Sequence, residues 1–211
     1  MRPVKLVLPL LLLLAFSVTR SAPNVSLAAK RTSTISRPVD VRAIVGIDTL
    51  RISLMSRDVG TGVIVDAGGI IITASHVIEG ADVLNVTLAD GRIVSGRVIA
   101  TDPQADLALI RIDGQALPVV ALASLPVVGS AVQAIGRERH ARAGSILRIE
   151  ERGRDIHELS TDALFHEGDS GGALVDGQGK LVGVLLGVGE HDQRIAVGTA
   201  AVKILVQQAS S

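Results

Sequence analysis

Ser170 sits in the run Gly168-Asp169-Ser170-Gly171-Gly172, the sharpest chemical signal in the chain. A serine hydroxyl is a weak nucleophile until a neighbouring base takes its proton and donors meet the oxyanion that forms. Flanking glycines let the backbone turn tightly. That turn could aim the N–H groups of Gly168 and Ser170 at one point, a pair of oxyanion donors of which each is typically worth about 10²–10³ in rate. The base would be His76, in Thr73-Ala74-Ser75-His76-Val77-Ile78, directly after the apolar run 69–73. A histidine at a strand end can leave the core, face a cleft and titrate near neutrality. His140, His157, His166 and His191 have no comparable flanks. Asp106 opens the apolar run Asp106-Leu107-Ala108-Leu109-Ile110, where a carboxylate at the core edge could fix the imidazole tautomer. Taken singly, each has a bland alternative: a Gly-rich turn, a surface histidine, or a polar turn built from Asp102, Pro103 and Asp106.

Such a set needs strands to hold it. Short β-type runs separated by Gly, Asp and Pro span 43–54, 59–66, 69–73, 82–88, 92–100 and 106–112. After a connector from Pro118 to Pro126, more follow at 130–136, 145–152, 157–163, 172–176, 180–188 and 194–199. Ala89-Asp90-Gly91 and Asp176-Gly177-Gln178-Gly179 are turn signals. The stretch from Ala200 to Gln208 lacks Gly and Pro and predicts a C-terminal helix, with Thr199 as its N-cap. The expected architecture is all-β: two six-stranded antiparallel barrels followed by a helix. The first barrel is expected over 43–117, a linker over 118–127, the second barrel over 128–199 and the helix over 200–211.

Composition narrows the function. Lys plus Arg and Asp plus Glu both number 21, so the formal net charge is zero and no basic footprint for nucleic acid appears. With two Phe, no Trp and no Tyr, base-stacking platforms are not expected. The absence of cysteine excludes thiol catalysis, disulfides and Cys-based metal sites. No metal motif or cofactor motif is seen, so neither is expected. At the N-terminus, Arg2 and Lys5 precede an apolar run from Leu6 to Val18, and Ser26-Leu27-Ala28 offers small residues for cleavage. This layout predicts a signal peptide over 1–28 and an exported, periplasmic or secreted, protein with no membrane segment in its mature form. Residues 29–42 read as a flexible lead-in.

The order His76, Asp106, Ser170 is that of chymotrypsin-type triads and differs from the subtilisin and α/β-hydrolase orders. The chain resembles trypsin-like serine proteases, and more narrowly the protease domain of the DegP/HtrA type. The matching phrases are GTGVIVDAGGIIITASHVIEGAD (60–82), LADGRIVSGRVIATDPQADLALIRID (88–113), VGSAVQAIG (128–136), STDALFHEGDSGGALVDGQGKLVGV (160–184) and RIAVGTAAVKIL (194–205). The resemblance implies a chymotrypsin-like double barrel with its site in the cleft, acting on polypeptides. His76 and Asp106 would come from the first barrel and Ser170 from the second. It also implies that Leu164, Leu185 and Val188 line the primary specificity pocket. All three are apolar, so aliphatic side chains are expected before the scissile bond, since a charge would lose solvation there.

The chain departs from that type in four places. A PDZ module is expected to be lacking, and so is the long loop near the N-terminus of the domain. N-terminal aromatics, through which such domains trimerise, are missing near 29–45, which favours a monomer. Asp169 stands where that type usually has Asn. In trypsin the corresponding aspartate pairs with a freshly cut amine, and Ile44-Val45-Gly46 is similar to such a terminus, though it fits a first strand equally well. Without that amine, Asp169 needs another donor. A non-catalytic binding or chaperone-like module on the same fold, and an esterase using the same residues, are the competing functions.

Overall fold

The alternating runs fold as short antiparallel strands in a computed structural model that describes residues 38–189 and 193–210. The predicted signal peptide, most of the lead-in and His191 lie outside the described residues. The first half contains β1 (Ile44–Arg51), β2 (Ser56–Asp66), β3 (Ile70–Ala74), the single helical turn α1 (Ser75–Ile78), β4 (Val83–Thr87), β5 (Ile93–Ser95), β6 (Arg97–Asp102) and β7 (Leu107–Arg111). The second half contains β8 (Ala131–Ile135), β9 (Ala141–Gly153), β10 (Ile156–Thr161), β11 (Ala173–Asp176), β12 (Leu181–Val188) and β13 (Arg194–Gly198), and α2 (Thr199–Ala209) follows.

The two halves close differently. The second is a six-stranded barrel closed by hydrogen bonds, in the order β10-β13-β12-β11-β8-β9. The first is a seven-stranded sheet, β5-β4-β1-β2-β3-β7-β6, whose ladder stays open between β5 and β6. These two edge strands are consecutive in the chain and meet at Gly96, so the run predicted as one strand over 92–100 is bent into two. The bend has a steric cause. A Cβ on Gly96 would lie 2.5 Å from Leu84 Cδ2 on β4 and 2.8 Å from Ile110 Cγ2 on β7. Only a residue without a side chain can pass between these strands, so the ring is completed through covalent chain rather than through a ladder.

The core is aliphatic. Ile44, Ile47, Ile64, Ile71, Ile72, Leu107, Leu109 and Ile110 are fully buried in the first half. Leu159, Phe165, Leu174 and Leu185 belong to a separate buried cluster in the second barrel. Strand β3 is buried along its whole length, so it can anchor whatever follows it. The connector is stitched to both halves: Val120 N–H donates to Ile64 O at 3.0 Å and Ala123 N–H to Leu181 O at 2.8 Å. Helix α2 buries Ala201, Val202 and Leu205. Its N-cap is Gly198 rather than Thr199, because Thr199 is already helical and its hydroxyl instead donates to Ala123 O at 3.0 Å.

Candidate active site

His76 lies in α1, the turn that leaves the end of β3. Asp106 lies just before β7, the strand that pairs with β3 in the register Ala74↔Leu107. Adjacent strand ends thus bring together two residues far apart in sequence. The loop before Asp106 is tied by Asp102, whose Oδ1 accepts from the N–H groups of Gln104 and Ala105. Asp106 itself has φ of 51°, a left-handed conformation that Asp tolerates better than most residues. In that pose its carbonyl accepts from Ser75 N–H at 3.0 Å. Its Oδ1 accepts from Ser75 Oγ at 2.6 Å and from His76 N–H at 3.0 Å. Its Oδ2 meets His76 Nδ1 at 2.6 Å.

The electrostatics follow from this geometry. The hydrogen bond to Asp106 raises the pKa of His76 above its ordinary value; burial opposes this, and the charges of Asp106 and Glu79 add to it. Burial pushes the Asp106 carboxyl up, but the bonds from the His76 ring, the Ser75 hydroxyl and the His76 backbone outweigh it and hold the pKa below the usual range. A carboxylate beside Nδ1 favours the proton on that nitrogen, so in the neutral ring Nε2 is the basic one.

The loop that carries Ser170 is pressed against the end of β3. Thr61 N–H donates to Ser170 O at 2.8 Å, and Thr61 Oγ donates to Gly168 O at 2.8 Å. Thr73 Oγ in turn donates to Thr61 O at 2.7 Å. Gly171 takes φ of 84°, and a Cβ there would clash with Thr61 O and Thr73 Oγ and come within 3.0 Å of Ala74 N. Gly168 takes φ of 87°. Among the described residues the N–H groups of Gly168 and Ser170 donate to no protein acceptor, so both remain available to an incoming oxygen. The Ser170 hydroxyl donates to Leu186 O at 2.7 Å, not to the imidazole. Contact with the imidazole would require the hydroxyl to give up the Leu186 carbonyl.

The predicted pocket residues separate. Leu164 and Val188 are each more than half exposed. Leu185 is fully buried in the core cluster of the second barrel, so its side chain cannot meet substrate. Alternation along β12 turns it inward, and only its backbone serves the site, accepting from Gly171 N–H at 2.7 Å. Ile44 is the first residue of β1, paired with Val63 and fully buried. Asp169 has its missing donor in Arg142, 3.1 Å away. Thr61, Thr73, Ser75 and Arg142 were not singled out from sequence. The one available signal was Thr73 within the otherwise apolar β3 and Thr61 between two glycines of β2, both fully buried. A buried hydroxyl must find a partner, and here the partners are backbone atoms at the site.

A family model described as "Trypsin-like peptidase domain" matches residues 60–184, which is more than half of the chain. The chain belongs to the trypsin-like peptidase domain family. Within it, the chain is 33% identical over 165 residues to the periplasmic serine endoprotease DegP of Salmonella typhimurium, covering 72% of this chain and 35% of that protein. It is 36% identical over 140 residues to the serine endoprotease DegS of Escherichia coli K12, covering 61% of this chain and 39% of that one. Among solved structures, the serine endoprotease from Yersinia pestis superposes with a TM-score of 0.72 at 30% identity, covering 80% of this chain and 63% of that one. The HtrA-type protease AlgW with tripeptide superposes with a TM-score of 0.72 at 29% identity, covering 82% and 61%. The chain thus spans between a third and two fifths of the length of these two curated relatives.

Proposed function

We propose that this protein is a serine endopeptidase that cuts polypeptides through an acyl-enzyme. The observation that carries it is the 2.6 Å His76–Asp106 pair standing beside a loop that presents a serine hydroxyl and two unpaired N–H groups. Ser170 Oγ attacks the scissile carbonyl while His76 Nε2 takes its proton and later returns it to the leaving amine. Asp106 keeps the proton on Nδ1 and stabilises the imidazolium. The N–H groups of Gly168 and Ser170 bind the oxyanion. Water, deprotonated by His76, then releases the acyl group.

The exposed apolar side chains of Leu164 and Val188 favour aliphatic residues before the cut bond. A peptide-library digest dominated by cleavage after Lys or Arg would overturn that preference. The charged first segment and apolar run of residues 1–28 make this an exported protein, in keeping with the word "periplasmic" in the name of its Salmonella relative. The test is digestion of casein by the purified mature protein beside Ser170→Ala. Wild type is expected to cut, with turnover about 10⁴–10⁶ above the variant. If neither cuts and an organophosphonate fails to label Ser170, the endopeptidase reading is wrong and a binding module on the same fold takes its place.

A further inference from the structure

Asp169, next to the nucleophile, is a charged residue that the proposed chemistry does not use. It is only 4% exposed. An isolated buried carboxylate is strongly disfavoured, so its surroundings are informative. Oδ1 accepts from Arg137 N–H at 3.0 Å. Oδ2 accepts from His166 N–H at 3.0 Å and from Arg142 Nη1 at 3.1 Å. The seat is shaped for the carboxylate: a Cβ on Gly136 would occupy the position of Asp169 Oδ1, and one on Gly172 would lie 2.6 Å from Ile135 O and 2.8 Å from Asp169 O. Gly136 is thus needed for this side chain to enter, while Gly172 lets the loop backbone pack against the end of β8.

Two of the three donors come from one hairpin. Arg137 follows β8, and Arg142 lies at the start of β9. The hairpin is itself fixed to the first half, because the Arg137 guanidinium donates to Ile47 O at 2.9 Å, to Gly60 O at 2.8 Å and to Asp48 Oδ1 at 2.7 Å. A rigid chain of contacts therefore runs from β1 and β2 through Arg137 and Asp169 to the backbone of Gly168 and Ser170.

We propose that Arg142 is a positioning residue whose guanidinium neutralises Asp169 and so holds the Gly168–Ser170 loop in the shape that aims its two N–H groups. The charge is supplied from within the folded chain, so the loop needs no newly cut amine to take this shape. The inference rests on the endopeptidase reading for its effect on rate, but the effect on loop order is independent of it. The two partners are unequal. Asp169 is sealed in, whereas the Arg142 side chain keeps 25% exposure and also reaches Glu138 at 3.5 Å. Removing the cation strands a buried charge; removing the anion leaves a guanidinium that can turn to Glu138 and water.

The experiment compares wild type, Arg142→Gln, Arg142→Lys, Asp169→Asn and the double variant Arg142→Gln/Asp169→Asn. Hydrogen–deuterium exchange across 165–172 is measured beside kcat and KM on a fluorogenic aliphatic peptide. Arg142→Gln is expected to raise exchange in that segment and lower kcat by at least ~10²-fold, the cost of misaimed oxyanion donors. KM should change less than ~3-fold, since substrate contacts lie elsewhere. Asp169→Asn should lose less than Arg142→Gln. The double variant should recover ~10-fold or more over Arg142→Gln, and Arg142→Lys should recover part of the loss. If wild type cleaves and Arg142→Gln equals it in exchange and kcat, the positioning role is overturned and the endopeptidase reading stands. A double variant no better than Arg142→Gln also overturns the role. If wild type does not cleave while exchange rises in Arg142→Gln and falls back in the double variant, the loop role stands and the endopeptidase reading fails.

Discussion

The two sides of the site are held by different means. On the first-half side, His76 and Asp106 sit at the ends of the paired, buried strands β3 and β7 and contact each other directly through side chains. On the second-half side, Ser170 sits in a loop with no ladder of its own. That loop is kept in place by Thr61, by glycines that permit close approach and by a single buried carboxylate. Strand ends fix the His76–Asp106 pair through backbone register, which many residues share. The Ser170 loop, whose Gly168 and Ser170 N–H groups meet no acceptor among the described residues, has no ladder, so its order depends on a few specific contacts. Substitutions should therefore act locally and chemically on the first side and through loop order on the second.

Asp106→Asn should give the largest effect, lowering kcat by about 10⁴ while the protein stays folded. An amide in place of the carboxylate presents N–H to Nδ1 and moves the proton to Nε2, the nitrogen that must accept. The same contact sets the pH profile. Since Asp106 raises the His76 pKa, wild-type activity should fall with decreasing pH through a midpoint above the ordinary histidine value of about 6.5. The residual activity of Asp106→Asn should have its acid limb at lower pH. An unmoved acid limb in the pH–kcat profile would assign the titration to another group.

Gly171→Ala tests the opposite side. Its positive φ and the clash with Thr61 O should cost about 3 kcal/mol or more in urea unfolding, with activity lost in parallel. A variant of unchanged midpoint would mean that the loop is not pressed on β3. Thr61→Val is milder, removing the hydroxyl donor to Gly168 O at constant shape. It should lower stability by about 1–3 kcal/mol and raise exchange in 168–171, and a purely global destabilisation without that local signature would count against a clamping role. Glu138→Gln, at the exposed rim of the Asp169 network, should change stability by less than about 0.5 kcal/mol and leave turnover as it is. A large loss on thermal melting would make Glu138 part of the support that Arg142 provides.

Much of the frame was legible. The runs predicted as strands correspond to β1–β13, because alternating Val, Ile and Leu bounded by Gly, Asp and Pro leaves few options. The bend at Gly96 was not visible, since the need for a missing side chain arises from Leu84 and Ile110 on other strands. Leu185 was misassigned because a one-residue register decision sends a strand side chain to core or cleft, and local sequence does not record which face is inward. Thr199 has the right type for a cap, but a carbonyl of the connector claims its hydroxyl.

By itself, the sequence determined the residue types able to do the chemistry, their order, and the local turns around them. Those depend on the φ/ψ preferences of neighbouring residues, such as the glycines at 168 and 171 with their positive φ. Only the tertiary structure decided who meets whom. It selected Arg142 for Asp169, Thr61 for Gly168, and Leu186 O for the resting Ser170 hydroxyl. The physical reason is that buried polar groups must be paired, and the partner is chosen by sheet register and packing between segments distant in sequence.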